Sequence, residues 1–154
     1  GHKVSLHLVG SASESVIEAL NLAAHSAGIY EFCVTGFVSE EEFRDYLLAV
    51  DVGVQLRISP QLGVSGPLSD LAAFGTRAVA SSGLAIDVDA PEYIHHLPES
   101  VSALLVAEAI ESVLESDFDP SRIEPERIAY LSGKQPQLYA QKLFDYLETI
   151  AGVK

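Results

Sequence analysis

The sequence predicts an α/β fold, a parallel sheet of about five strands with helices on both faces. Three observations predict it. Short apolar stretches alternate along the chain with amphipathic stretches of helical spacing. Glycine and proline punctuate the joins between them. An apolar content of 48% with 20% charged residues over 154 residues marks a globular chain long enough for a real core. Right-handed crossovers between successive strands then make the sheet parallel.

Each element has its own signals. Lys3 to Val9 alternates, then runs apolar, and stops at Gly10-Ser11 as a first strand. Ser13 to Ser26 carries Val16, Ile17, Leu20 and Ala24 at helical spacing, with Gly28 just beyond as a stop. Phe32 to Thr35 is a second strand, ended by Gly36. Ser39 with Glu42 forms a capping box, opening a helix whose Phe43, Leu47 and Val50 share one face. Val52 to Ile58 is a third strand. Pro67 to Phe74 is a short helix with proline at its first position and Gly75 at its end.

Ala78 to Ala80 is a fourth strand and Tyr93 to Leu97 a fifth. Ser102 to Leu114 is helical, with Leu105, Ala109, Ile110 and Val113 on one side. Asp117 to Ile128 reads as loop or a single turn, and Pro136 to Ile150 as the last helix. No internal repeat or low-complexity tract interrupts the series, so residues 1–154 are expected to form one domain. Gly1-His2 is expected to be a cloning remnant, and the chain, which has no methionine, a piece of a longer protein.

Charge and cysteine usage narrow the function classes. A formal charge of −13 repels phosphate backbones, and the nine Lys and Arg form no basic patch. Neither nucleic acid nor an anionic membrane is therefore an expected partner. No apolar run approaches the roughly 18 residues that span a bilayer, and no stretch reads as a signal peptide. The single Cys33, in the strand EFCVTG, excludes an internal disulfide and fits a cytoplasmic, reducing compartment as an inert core thiol.

Several catalytic signatures are missing. "VGSASES" has one glycine where a nicotinamide site would show three. No Gly-Lys-Ser/Thr follows a strand, and Ser65 lies in V-S-G rather than a nucleophile elbow. His95 and His96 are adjacent, so a strand turns them to opposite faces, and no metal or other cofactor is expected. The stretch "LRISPQLGVSGPLSDLAAFGTRAVAS", residues 56–81, is different. In parallel sheets ligands bind beyond the carboxyl ends of the strands, and this loop lies there. A helix opening at Pro67 leaves amides near Gly66, and these with the helix dipole attract an anion. Arg57 at the strand's end supplies a cation, and Asp70, one turn into the helix, is placed to accept a pair of ribose hydroxyls. The same residues are also ordinary helix-start signals, and the two readings stay open on these residues alone.

"VTGFVSEEEFRDYLLAVDVGVQLR" followed by "GVSGPLSDLAAFGTRAVAS" resembles the carboxy-terminal, donor-binding domain of retaining glycosyltransferases of the GT-B fold, family 4. Gln55-Leu56-Arg57 and Ser65-Gly66 resemble a bacterial branch of that family, and the likeness covers roughly residues 3 to 115. The resemblance implies a Rossmann-like half of a hexosyl- or related glycosyltransferase of polysaccharide synthesis. Its partners would be a UDP- or GDP-sugar donor and an amino-terminal acceptor domain absent from this chain. By the same resemblance Asp70 takes the ribose hydroxyls in place of the usual Glu, and Val64, Ser65 and Gly66 hold donor phosphate. Gly36, Phe37 and Val38 contact the base, and Arg57 lines the donor site. The acid that contacts the transferred sugar falls on Leu62 or Gly63, neither of which does that work. The chain therefore carries no catalytic residue of its own, and no turnover is expected from it alone.

The resemblance also implies a sheet order of 3-2-1-4-5-6 whose central first strand is missing here. Closure of that gap predicts the order 2-1-3-4-5, with Leu6 and Val54 on adjacent parallel strands. Two other function classes compete with the donor half. One is a degenerate, non-catalytic α/β interaction module, and the other a free-standing flavodoxin-like or receiver-like domain. "GSASES", with a single Glu, lacks the acidic cluster of the last.

Overall fold

A computed structural model describes residues 3–57, 63–117 and 119–152. The chain divides into two compact units, one ending at Tyr46 and the other beginning at Leu47. Both are α/β.

The first unit is a single βαβ crossover followed by the start of a helix. Strand β1 (Ser5–Leu8) leads through helix α1 (Glu14–Ser26) to strand β2 (Glu31–Val34). The two strands pair in parallel, Leu6 opposite Phe32 and Leu8 opposite Val34. Beyond them Gly10 bridges Gly36, and the Gly10 amide donates to Thr35 Oγ1 at 3.1 Å. Gly36 needs the left-handed backbone found there, φ 71°, which glycine adopts without strain. Helix α2 (Glu40–Ala49) starts with the expected capping box. The Glu42 carboxylate accepts from the Ser39 amide at 2.8 Å, and the Glu42 amide donates to Ser39 Oγ at 3.2 Å. The Ser39 amide, with the Ser39 hydroxyl that also donates to this carboxylate at 2.8 Å, holds the Glu42 carboxyl below the usual range.

The second unit is built on a three-stranded parallel sheet. Its strands are β3 (Gly53–Gln55), β4 (Ala78–Ser81) and β5 (Ile94–Leu97), in the order β3-β4-β5. Helix α3 (Gly66–Phe74) crosses from β3 to β4, and the short α4 (Ser82–Asp87) from β4 to β5. Helices α5 (Ala103–Glu115), α6 (Pro120–Gly133) and α7 (Pro136–Ala151) complete it. Central β4 is wholly buried, and Val79 packs with Leu97, Ala109 and Val113 in the core between sheet and α5.

Three expectations are corrected. The five strands do not form one sheet, but a two-stranded and a three-stranded one. Leu6 pairs with Phe32 and Val54 with Val79, so the predicted pairing of the first strand with the third is not made. Each pair that does form is joined by its own crossover, whereas β1 and β3 have none in common. Asp117 to Ile128, expected as loop or a turn of helix, belongs from Pro120 onward to α6, which runs to Gly133. Asp119 caps it, accepting from the Ser121 amide at 3.0 Å, with proline next in the chain. Ile58, expected to end the third strand, lies outside the described residues.

Gly53 fixes how α3 lies on the sheet. A Cβ there would sit 2.7 Å from both terminal methyls of Leu71, a buried α3 side chain. Gly53→Ala is therefore expected to lower stability by about 1–3 kcal/mol, the scale of core overpacking. Urea unfolding that leaves the midpoint unchanged would show that Leu71 has room to move.

Candidate functional site

The predicted loop residues Arg57, Val64, Ser65, Gly66 and Asp70 all belong to the second unit, around the carboxyl end of β3. Ser65 is buried and caps α3, its Oγ accepting from the Leu68 amide at 3.3 Å. Its carbonyl takes the Ser69 amide at 3.0 Å and the Ser69 hydroxyl at 2.9 Å. Proline 67 has no N–H, so this cap reduces the amides left at the helix start. Among the described residues, those of Val64, Ser65 and Gly66 make no hydrogen bond. Gly66 is exposed, and a Cβ on it would meet nothing within 4 Å. Its lack of a side chain leaves open space beside its own amide, with exposed Val64 on the far side of buried Ser65.

Arg57 is anchored at both ends. Its amide donates to Ser81 Oγ at 2.8 Å, and its Nη1 donates to the Gly63 carbonyl at 3.0 Å. The guanidinium thus supports the chain that leads into α3 as well as carrying charge. Asp70 is half-buried in the first turns of α3, and burial alone pushes its carboxyl above the usual range. Among the described residues it has no ion pair or hydrogen bond.

Gly36, Phe37 and Val38 lie in the first unit, past the end of β2. Phe37 is 92% exposed, an aromatic ring almost bare to solvent. Gly63, where the sugar-contacting acid was sought, has only its carbonyl in use, and Leu62 lies outside the described residues. His95 and His96 are both exposed on edge strand β5, and no group of three metal-ligating side chains occurs among the described residues. Cys33 is half-buried on β2.

A cleft of about 320 Å³ opens elsewhere, beside Arg77 before β4 and Tyr93 before β5. Arg77 there donates to the Val113 carbonyl and Ser116 Oγ, closing the carboxyl end of α5. The Tyr93 hydroxyl donates to the Ala72 carbonyl, and burial raises its pKa. Both groups are committed to packing, so the cleft is weaker evidence of a site than the loop.

Two side chains at the carboxyl end of the sheet escaped sequence reasoning. Ser81 binds Arg57, and Glu99 accepts from the Gly83 amide at 2.5 Å at the start of α4. A serine ending "AVAS" and a glutamate after a strand carry no local signal of either contact.

No protein-family profile matches the chain, and no curated protein matches it. No helix among the described residues is long and apolar enough to cross a membrane.

Asp70 bears on stability in a way that separates it from a packing residue. Its folded pKa is raised, so the ionised form costs stability at neutral pH, and that cost fades as pH falls through the carboxylate range toward 3.8. Asp70→Asn should therefore raise the melting temperature at pH 7 and lose that advantage in acid. A lower melting temperature at pH 7 would show that the carboxylate has a structural partner. Ser65→Ala is expected to cost about 1 kcal/mol through the lost cap, measured by urea unfolding.

Proposed function

We propose that this chain is the nucleotide-sugar donor-binding half of a retaining glycosyltransferase, inactive without its acceptor domain. One arrangement carries the reading. Among the described residues, amides at Val64 to Gly66 that make no hydrogen bond stand at the amino end of α3, with a half-buried carboxylate that has no partner one turn along, at Asp70. Amides and the helix dipole suit a diphosphate, and a carboxylate suits the two hydroxyls of a ribose. Arg57, tied to Gly63, adds positive charge in a chain of net −13. A carboxylate kept at a cost to stability fits a binding role better than a packing one. In the first unit, taken by itself, the resemblance assigns Gly36, Phe37 and Val38 to the base, and Phe37 is an exposed aromatic ring. On this reading the donors are UDP- or GDP-sugars, and the cytoplasm, where such donors occur, is the compartment.

In the complete enzyme these residues hold the departing nucleoside diphosphate while the sugar passes through an oxocarbenium-like state. The second reading is a non-catalytic module that keeps the fold for interactions. Gly63, with no side chain, and Leu62 favour it, because neither supplies an acid to the transferred sugar.

Titration with UDP, followed by amide NMR, separates the two. Binding in the millimolar range, worth about 4 kcal/mol, is expected, with shifts at residues 57–70. Asp70→Ala should weaken it by about 1.5–3 kcal/mol, the scale of a charged hydrogen bond. Shifts confined elsewhere, or none, would leave the interaction module as the reading.

A further inference from the structure

Ser81 ends β4 and stands at the N-cap position of α4, where a serine hydroxyl ordinarily accepts from an amide of the first turn. Here it makes no such bond. The Glu99 carboxylate takes the Gly83 amide instead. The Ser81 hydroxyl, in a residue only 2% exposed, is turned onto the chain just past β3, where it accepts from the Arg57 amide at 2.8 Å and donates to the Arg57 carbonyl at 3.3 Å. The regular β3–β4 register ends at Gln55 opposite Ala80. One side chain thus continues the ladder beyond its last strand pair and holds both backbone groups of a single residue.

The hydrogen bonds run on from there. The Arg57 guanidinium holds the Gly63 carbonyl, and two residues later Ser65 caps α3. A buried hydroxyl on β4 is therefore linked through Arg57 to the chain that presents the amides of Val64 to Gly66.

We propose that Ser81 is the positioning residue of this anion seat: its hydroxyl fixes Arg57 at the carboxyl end of β3 and, through Arg57, the approach to α3. The identity of the anion as a nucleoside diphosphate rests on the donor-binding reading above; the positioning of Arg57 does not. Ser81 acts through Arg57 and does not itself touch the ligand.

The test uses the whole chain, with UDP as the probe, in wild type, Ser81→Ala, Ser81→Thr and Val79→Ala. Val79 is a buried β4 neighbour whose truncation lowers stability without touching the relay. In Ser81→Ala, exchange of the Arg57 amide with deuterated water should quicken at least about tenfold, and UDP affinity should fall about fivefold to tenfold, as for one lost hydrogen bond. Ser81→Thr keeps the hydroxyl and should restore both. Val79→Ala should alter neither. Unchanged Arg57 exchange in Ser81→Ala overturns the proposal, as does an equal loss in Val79→Ala. Unchanged UDP affinity alongside faster Arg57 exchange overturns the link from Arg57 to the anion seat. If wild type shows no UDP shifts, the donor-binding reading fails, and Arg57 exchange still decides the positioning.

Discussion

Burial of β4 is the constraint on which the second unit depends. Ala78, Val79 and Ala80 are fully enclosed, with β3 on one side, β5 on the other and α5 packed across the face. A strand in that position satisfies its backbone only through its neighbours, so its placement dictates theirs. Small side chains suit this enclosure, and Gly53 on the next strand lets Leu71 of α3 close against the sheet. The segment just before β4 extends the same effect. Thr76 Oγ1 donates to the Leu47 carbonyl at 2.7 Å, and Arg77 closes the end of α5. Ser81 and Ser82 add polar contacts at the other end of β4, to Arg57 and to the Leu97 carbonyl.

The candidate site follows from that rigidity. Its parts sit just beyond the strands, where backbone groups no longer have sheet partners. Ser65 and Ser81 are both buried hydroxyls, one closing α3 and the other holding Arg57. Asp70 stands apart, since burial disfavours its charge and nothing among the described residues compensates.

Other parts of the chain are far less enclosed. Of the described residues in the first unit, Ala24 alone is buried, while Val16, Leu22, Tyr30 and Phe37 are exposed. A two-stranded sheet offers little surface to cover, so of its helix's apolar stripe only Ala24 is buried, while Ile17 and Leu20 are half-buried and Val16 is exposed. In the second unit, α7 has a full apolar stripe, yet Leu143, Phe144, Leu147 and Ile150 remain more than half exposed. Amphipathic spacing there forms the helix without supplying a surface for it to pack on.

Much of this was legible in the residues themselves. The Ser39–Glu42 capping box, the Ser102 cap of α5 and the αL glycine closing α3 are local interactions between near neighbours, and each forms as its spacing required. The same holds for Ser65, Gly66 and Pro67, whose order sets the start of α3 wherever that helix docks. Sheet closure was not legible, because alternation names strands and their crossovers but not which distant edges meet. Nor was the length of α6, whose Pro125 argues locally against a helix that packing on α3 sustains through Arg127 and the Ala73 carbonyl. The raised pKa of Asp70 and the Ser81–Arg57 contact likewise belong to tertiary structure alone. Burial and a hydrogen bond spanning 24 residues arise only when separate elements are brought together, and no pattern within either element records them.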